Sequence, residues 1–361
     1  MKWGEHVGRS YNLLQLPCSL EDALMHLTLN ELLTIRRSAS FSCSGGLRKA
    51  ALAREMAAQM PDQAPSFFDL FEEYRATLMR HMLAHRGVVP LAQLELTHTD
   101  VRALTRHGIF VEGEHEGVHC VGVPLELLEM FKQHDGLRYA ARVAENTRWI
   151  AALQGAVYYY GVISTHQAYD LLSLLFGKED FFRQKPCFWD VCPAMQDFRG
   201  AYLMIGDYFC DSSLSDPSLI LRRRPANVGY RLFNLPELFA AVDPLHVDPT
   251  PEGELLYEYL LEHYSLPELK AKRLIHVGRR IALWEGKVAA AFAAYAVICG
   301  ASVHERDPEL GELVLDYIEH TPHWALCGHT IADLQPNPPE TDGVLGKLVD
   351  FSEYKNRGKQ Q

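Results

Sequence analysis

Residues 97–124 read THTDVRALTRHGIFVEGEHEGVHCVGVP, and the fold of the middle of the chain turns on them. Thr97 and Asp100 stand at capping-box spacing, so a short helix opens here with Val101 and Leu104 facing inward and stops at Gly108. Ile109-Phe110-Val111 and Val118 to Val123 are β-prone runs. Gly113-Glu114-His115-Glu116-Gly117 joins them as a hairpin with a polar tip. Pro124, suited to a first helical turn, opens a further helix through Leu127, Leu128 and Phe131.

Outward from this core, Phe67, Leu70, Phe71, Tyr74, Leu78 and Met82 recur at helical spacing, predicting one amphipathic helix that ends near Gly87. Helix, helix, hairpin, helix is the order of a winged helix-turn-helix. Such a unit usually reads DNA with its second helix and touches phosphate with its wing. Here the second helix offers only Arg102, Arg106 and His107, while the hairpin carries Glu112, Glu114 and Glu116. Three carboxylates where phosphate would sit favour a protein-binding or packing role for this unit.

The chain of 361 residues is 48% apolar and 22% charged, a globular composition long enough for two or three domains. Its net charge of −11 excludes indiscriminate coating of nucleic acid or anionic membrane. No apolar run reaches membrane-spanning length; the longest, Val288 to Ala301, reads as a buried helix. No export signal is read at the start, and eight scattered cysteines point to reduced thiols in a cytoplasmic protein. Linkers are expected at Met60–Pro65, near His134–Gly136 and at Asp243–Gly253. They divide the chain into a helical module (1–60), a winged-helix-like domain (61–136), a second such α+β region (137–243), a helical bundle (252–335) and a partly mobile tail (336–361). The fold class is mainly α with small β-hairpins. Only residues 1–60 are basic, at +2.

In that first module Ser19/Asp22 and Thr28/Glu31 are successive capping pairs. Leu29, Leu32, Leu33 and Ile35 form one helical face, and Ser42-Cys43-Ser44-Gly45-Gly46 requires a loop before a helix from Leu47 to Met60. Leu29, Leu32, Leu33, Gly45, Gly46, Leu47, Lys49 and Leu52, over about 40 residues, resemble the SAP and Rho N-terminal modules. The resemblance implies contact with nucleic acid through Arg36, Arg37, Arg48 and Lys49; otherwise these are solvated residues of a small cap.

The second α+β region starts with a helix from Leu137 to Leu153, then a turn and extended run from Gln154 to Ile163 containing Tyr158-Tyr159-Tyr160. Three tyrosines suit either base stacking or a core, and the lack of interleaved cations favours the core. Ser164/Gln167 caps another helix to Phe176, Ala201–Ile205 reads as a strand and Asp216–Leu219 as a helical turn. Arg222-Arg223-Arg224, the densest cationic run, binds phosphate or pairs with Asp207, Asp211 and Asp216. The bundle comprises helices at 252–263, 266–283, 284–301 and 308–320. The string from Thr321 to Thr330, T-P-x-W-x-L-x-G-x-T, resembles uncharacterised bacterial proteins that often carry a terminal SEC-C zinc motif, over roughly residues 140–335. The tail from Pro336 to Gln361 has no cysteine, so the resemblance brings no zinc.

No P-loop, dinucleotide fingerprint, nucleophile elbow, H-E-x-x-H or C-x-x-C is present. Metal-ligand candidates are His81 with His85, His115 with His119 and Cys120, Cys187 with Cys192, and His320, His323, Cys327 and His329. No cofactor is implied. The expectation is a non-enzymatic nucleic-acid-binding or regulatory protein, binding DNA or RNA through Arg36, Arg37, Arg48, Lys49 and Arg222–Arg224. Its rivals are a protein-interaction scaffold and, third, a metal-dependent enzyme using the C-terminal histidines.

Overall fold

In the computed structural model the residues described are 14–38, 42, 46–177, 190–192, 195, 202–243, 245–285 and 307–334. The helix read at 284–301 therefore lies outside them beyond Glu285, as do the tail and Cys187. The chain is mainly helical, with two small sheets. It forms two compact units: residues 1–148 with 185–200, and residues 149–184 with 201–361. The first takes in both segments read at 1–60 and 61–136.

The first unit begins with a short strand β1 (Leu14–Gln15), then α1 (Leu20–His26), α2 (Leu29–Ser38) and α3 (Lys49–Phe68). Ser19 caps α1, and Thr28 pairs with Glu31 as the spacing predicts. Helix α3 does not stop at the expected linker; it runs through Pro61 and Pro65. An interior proline costs a helix about 3 kcal/mol. Met60, Ala64, Phe67 and Phe68 are all buried on this stretch, and burying one large apolar side chain contributes about 1.5–3 kcal/mol. Packing outweighs local preference here.

The amphipathic helix read from Phe67 onward is broken: α3 ends and α4 (Glu73–Ala84) starts anew. The break has a long-range cause. The Asn146 amide donates to the carbonyls of Asp69 and Phe71, satisfying backbone that a continuous helix would have paired internally, while Glu72 caps α4 by accepting from the Arg75 amide. After α4 come β2 (Val88–Pro90), a 3-10 turn (Leu91–Gln93), α5 (His98–Thr105) with its Thr97/Asp100 capping box, β3 (Val111–His115), β4 (Val118–Gly122) and α6 (Leu125–His134). The sheet order is β1-β3-β4-β2, with β1 parallel to β3 and the rest antiparallel. Phe68 and Phe131 meet edge to face at 5.3 Å in the core behind it.

Helix α7 (Leu137–Tyr160) begins in the first unit and ends in the second. It continues through Gln154–Tyr160, where the sequence suggests a turn and an extended run. Gly155 is there for close approach, since a Cβ would overlap the Leu238 carbonyl. The helix stops at Gly161, φ +68°, which the Trp324 ring covers. Then follow β5 (Val162–Ser164), α8 (Thr165–Phe176) with its Ser164/Gln167 capping box, and the hairpin β6 (Leu203–Ile205) and β7 (Tyr208–Cys210), in sheet order β5-β7-β6. Short helices α9 (Ser218–Leu221) and α10 (Leu235–Ala240) precede α11 (Pro251–Glu262), α12 (Glu268–Glu285) and α13 (Pro308–Glu319). Leu256, Leu260, Leu274, Ile275, Leu310 and Val314 close the core of these last three.

Both sheets are wired alike. A helix ends on a glycine with positive φ (Gly87 or Gly161), a strand and a helix follow, and a hairpin returns with its second strand beside the first.

Candidate nucleic-acid interface

Four of the seven cations singled out from the sequence bracket the loop between α2 and α3. Arg36 and Arg37 occupy the last turn of α2, where the negative end of the helix dipole favours cations. The Arg37 Nε donates to the Leu33 carbonyl at 3.1 Å. Arg48 is the N-cap of α3, in extended conformation, and makes no side-chain cap bond; Lys49 is the first helical residue, and no acid lies in the first turn. Cations at the positive end of a 20-residue helix are on the unfavourable side of its dipole, by roughly 0.3–1 kcal/mol each. Among the described residues neither Arg48 nor Lys49 meets a carboxylate, whereas Arg54, one and a half turns on, pairs with Glu21 at 3.2 Å. The start of α3 thus offers two uncompensated cations and uncapped amides together, an arrangement that suits an anion.

The face formed by α5 and the β3–β4 hairpin is different in character. His98, Thr99, Arg102 and Arg106 are exposed on and just after α5, but the hairpin that follows carries Glu112, Glu114 and Glu116. His119 pairs with Glu112 at 2.7 Å and stands opposite Glu114 in the register. His115 is held by the Leu16 carbonyl. Between hairpin and 3-10 turn lies a groove of about 630 Å³, apolar along Leu91, Ala92, Leu96 and Val118, with Glu95 and His119 as its polar groups.

Arg222–Arg224 belong to the second unit and do not act as one cationic run. Arg224 is internal structure: its guanidinium donates to the carbonyls of Tyr160, Val162 and Trp324 and to the Tyr230 hydroxyl. Arg222 bonds Ser218 and lies 3.9 Å from Asp216. The hydrogen bonds from Ser218, with Arg222 adding to them, hold the Asp216 carboxyl below its ordinary range. Asp211 pairs instead with Arg280, at 2.6 Å.

The C-terminal histidines do not converge. Ring nitrogens of His320, His323 and His329 face three different carbonyls, those of Asp316, Ile318 and Gly229. Burial lowers the His323 and His329 imidazoles and raises the Cys327 thiol. Among the described residues no three His, Cys, Asp or Glu side chains form a metal-holding group. The segment 321–330 works as a clasp: the Trp324 indole donates to the Tyr158 carbonyl and its ring lies on Gly161. Of the three tyrosines, Tyr159 and Tyr160 are buried, Tyr159 stacking on Phe233 at 3.8 Å.

One constellation escapes a reading of the sequence. Arg279, fully enclosed, places Nε 3.0 Å from Asp248 and its guanidinium 3.9 Å above the Tyr158 ring; His246 lies 3.5 Å from the other Asp248 oxygen. Burial pushes the Asp248 carboxyl up, and Arg279 with His246 outweigh it, holding the group below its usual range. The available signal is an arginine on the apolar stripe Ala271, Leu274, Ile275, Gly278 of α12. Its part is to hold His246 and Asp248 against α12. Set against known protein families, curated proteins and solved structures, the chain matches none.

Proposed function

We propose that this is a non-enzymatic nucleic-acid-binding protein with a regulatory role, which takes the sugar-phosphate backbone at the start of α3. The observation that carries the reading is the pair Arg48 and Lys49, which meet no carboxylate among the described residues at the positive end of that helix, with Arg36 and Arg37 across the loop. A phosphate there gains the amides of the first turn as well as the cations. With β1 set aside, the strands of both sheets run first–third–second, as β2-β4-β3 and β5-β7-β6, which supports reading each as a winged-helix-like unit. In this reading the first such unit contributes framework rather than base contacts, because its hairpin carboxylates repel phosphate. Arg224 drops out of the binding set, and Arg222 and Arg223 are accessory at most.

The apolar groove, lying beside a hairpin that carries Glu112, Glu114 and Glu116, favours a second reading, a protein-interaction scaffold whose partner presents a basic and apolar segment. Titrating a labelled short duplex, and single-stranded DNA and RNA of the same sequence, with the full chain at low salt separates the two. Binding that weakens steeply with salt is expected. Absence of binding to all three nucleic acids would leave the scaffold.

A further inference from the structure

His81 and His85 sit on the last turn of α4 and its C-cap, four residues apart and therefore on one face. Their rings are 4.2 Å apart, centroid to centroid, and tilted by 43°. The His85 Nδ1 lies 2.9 Å from the His81 carbonyl oxygen, which can only accept. Nδ1 of His85 therefore carries the proton, and the lone pair of its Nε2 is left for another partner. A histidine whose one ring nitrogen donates to a backbone carbonyl has the orientation and tautomer of a metal ligand. His85 is exposed and His81 half-exposed, so an ion reaches both from solvent. The site is at the negative end of the helix dipole, which favours a cation; the exposed Arg86 that follows opposes it.

We infer that His81 and His85 form a two-imidazole chelate for a late first-row divalent ion, held at the surface with water completing its coordination. This site is separate from the one proposed for nucleic acid. Two neutral imidazoles select Cu²⁺ over Ni²⁺ and Zn²⁺ in the order of intrinsic affinity. With no third protein ligand among the described residues, the ion is exchangeable rather than a fold-bearing centre.

The test is titration of the full chain with CuCl₂ by calorimetry, comparing wild type with His81→Gln, His85→Gln and, as a control on another exposed histidine, His98→Gln. Either of the first two variants should lower the affinity of one equivalent by more than about tenfold, and the control should not. An isotherm unchanged in both single variants, or changed in only one, would overturn the chelate. Because His85→Gln also removes the ring bonded to the His81 carbonyl, the electron paramagnetic resonance spectrum of wild-type protein with substoichiometric Cu²⁺ gives a second reading. Splitting from two nitrogens is expected; a single nitrogen donor refutes the site whatever the variants do.

Discussion

Replacing Arg48 and Lys49 together with alanine removes two of the four cations around the α2–α3 loop, and the size of the effect can be worked out. Each phosphate neutralised on duplex DNA contributes about −0.9 to the slope of log K against log salt. If all four side chains neutralise one phosphate each, the wild-type slope is about −3.6 and that of the double variant about −1.8. Taking the counterion contribution as vanishing near 1 M salt, two fewer neutralised phosphates at about 0.1 M weaken binding roughly 60-fold. The assay is fluorescence anisotropy on a labelled duplex between about 50 and about 200 mM salt. The structure also sets the sign of a control. Both cations oppose the dipole of α3, so the double variant should unfold at slightly higher denaturant, by about 0.6–2 kcal/mol. Affinity falling while stability rises excludes damage to the fold as the cause. A salt slope unchanged from wild type would refute the assignment of these residues.

The remaining predictions concern the fold and its acid response. Gly161→Ala drives a Cβ into the Trp324 ring at φ +68°, and should cost about 2–4 kcal/mol in urea unfolding; a cost under about 1 kcal/mol would mean the indole does not press there. Arg224→Lys keeps the charge but loses the planar fork that serves three carbonyls, so a loss of about 2–3 kcal/mol is expected, and a neutral result would return Arg224 to the set of available surface cations. Burial, reinforced by Arg75 and Arg106, holds the His107 imidazole down at about 4, whereas in the unfolded chain it protonates near 6.5. The unfolded state therefore binds the extra proton first, and stability present above that value is lost as pH falls from about 6.5 to about 4. With some exposure of the ring to solvent the loss is about 2 kcal/mol, read as a pH-dependent unfolding midpoint that His107→Gln should flatten.

Features set by a few neighbouring residues are legible in the sequence. The pairs at Ser19, Thr28, Thr97 and Ser164 each open a helix, because a cap is a matter of three or four adjacent positions. The hairpin at 111–122 follows from alternation and a glycine-bearing tip. Features decided at a distance are not. Pro61 and Pro65 look like punctuation until Met60 and Phe68 are seen in the core. The interruption at 69–72 is drawn by Asn146, more than seventy residues on. The end of α7 lies beyond the place the sequence suggests because Gly155 marks a close approach by Leu238, not a turn. Among the site residues, spacing alone places Arg48 and Lys49 beside a loop, and whether an acid meets them is a matter of the fold. Nor can a sequence tell a solvated guanidinium from one satisfied by three carbonyls, as Arg224 is. The histidines of 320–329 are neighbours in sequence only, and Arg279 is legible only as a charge on the wrong side of a helix.

The clasp made by Arg224 and Trp324 has a consequence for how the chain is made. Tyr160 and Val162 emerge early in synthesis, yet the guanidinium that serves their carbonyls comes some sixty residues later, and the indole that covers Gly161 another hundred after that. Until residue 324 has left the ribosome, the final turn of α7 keeps bare backbone acceptors and an open patch over its glycine. A messenger cut between residue 200 and that tryptophan therefore yields a polypeptide whose first unit can fold while its second stays ajar.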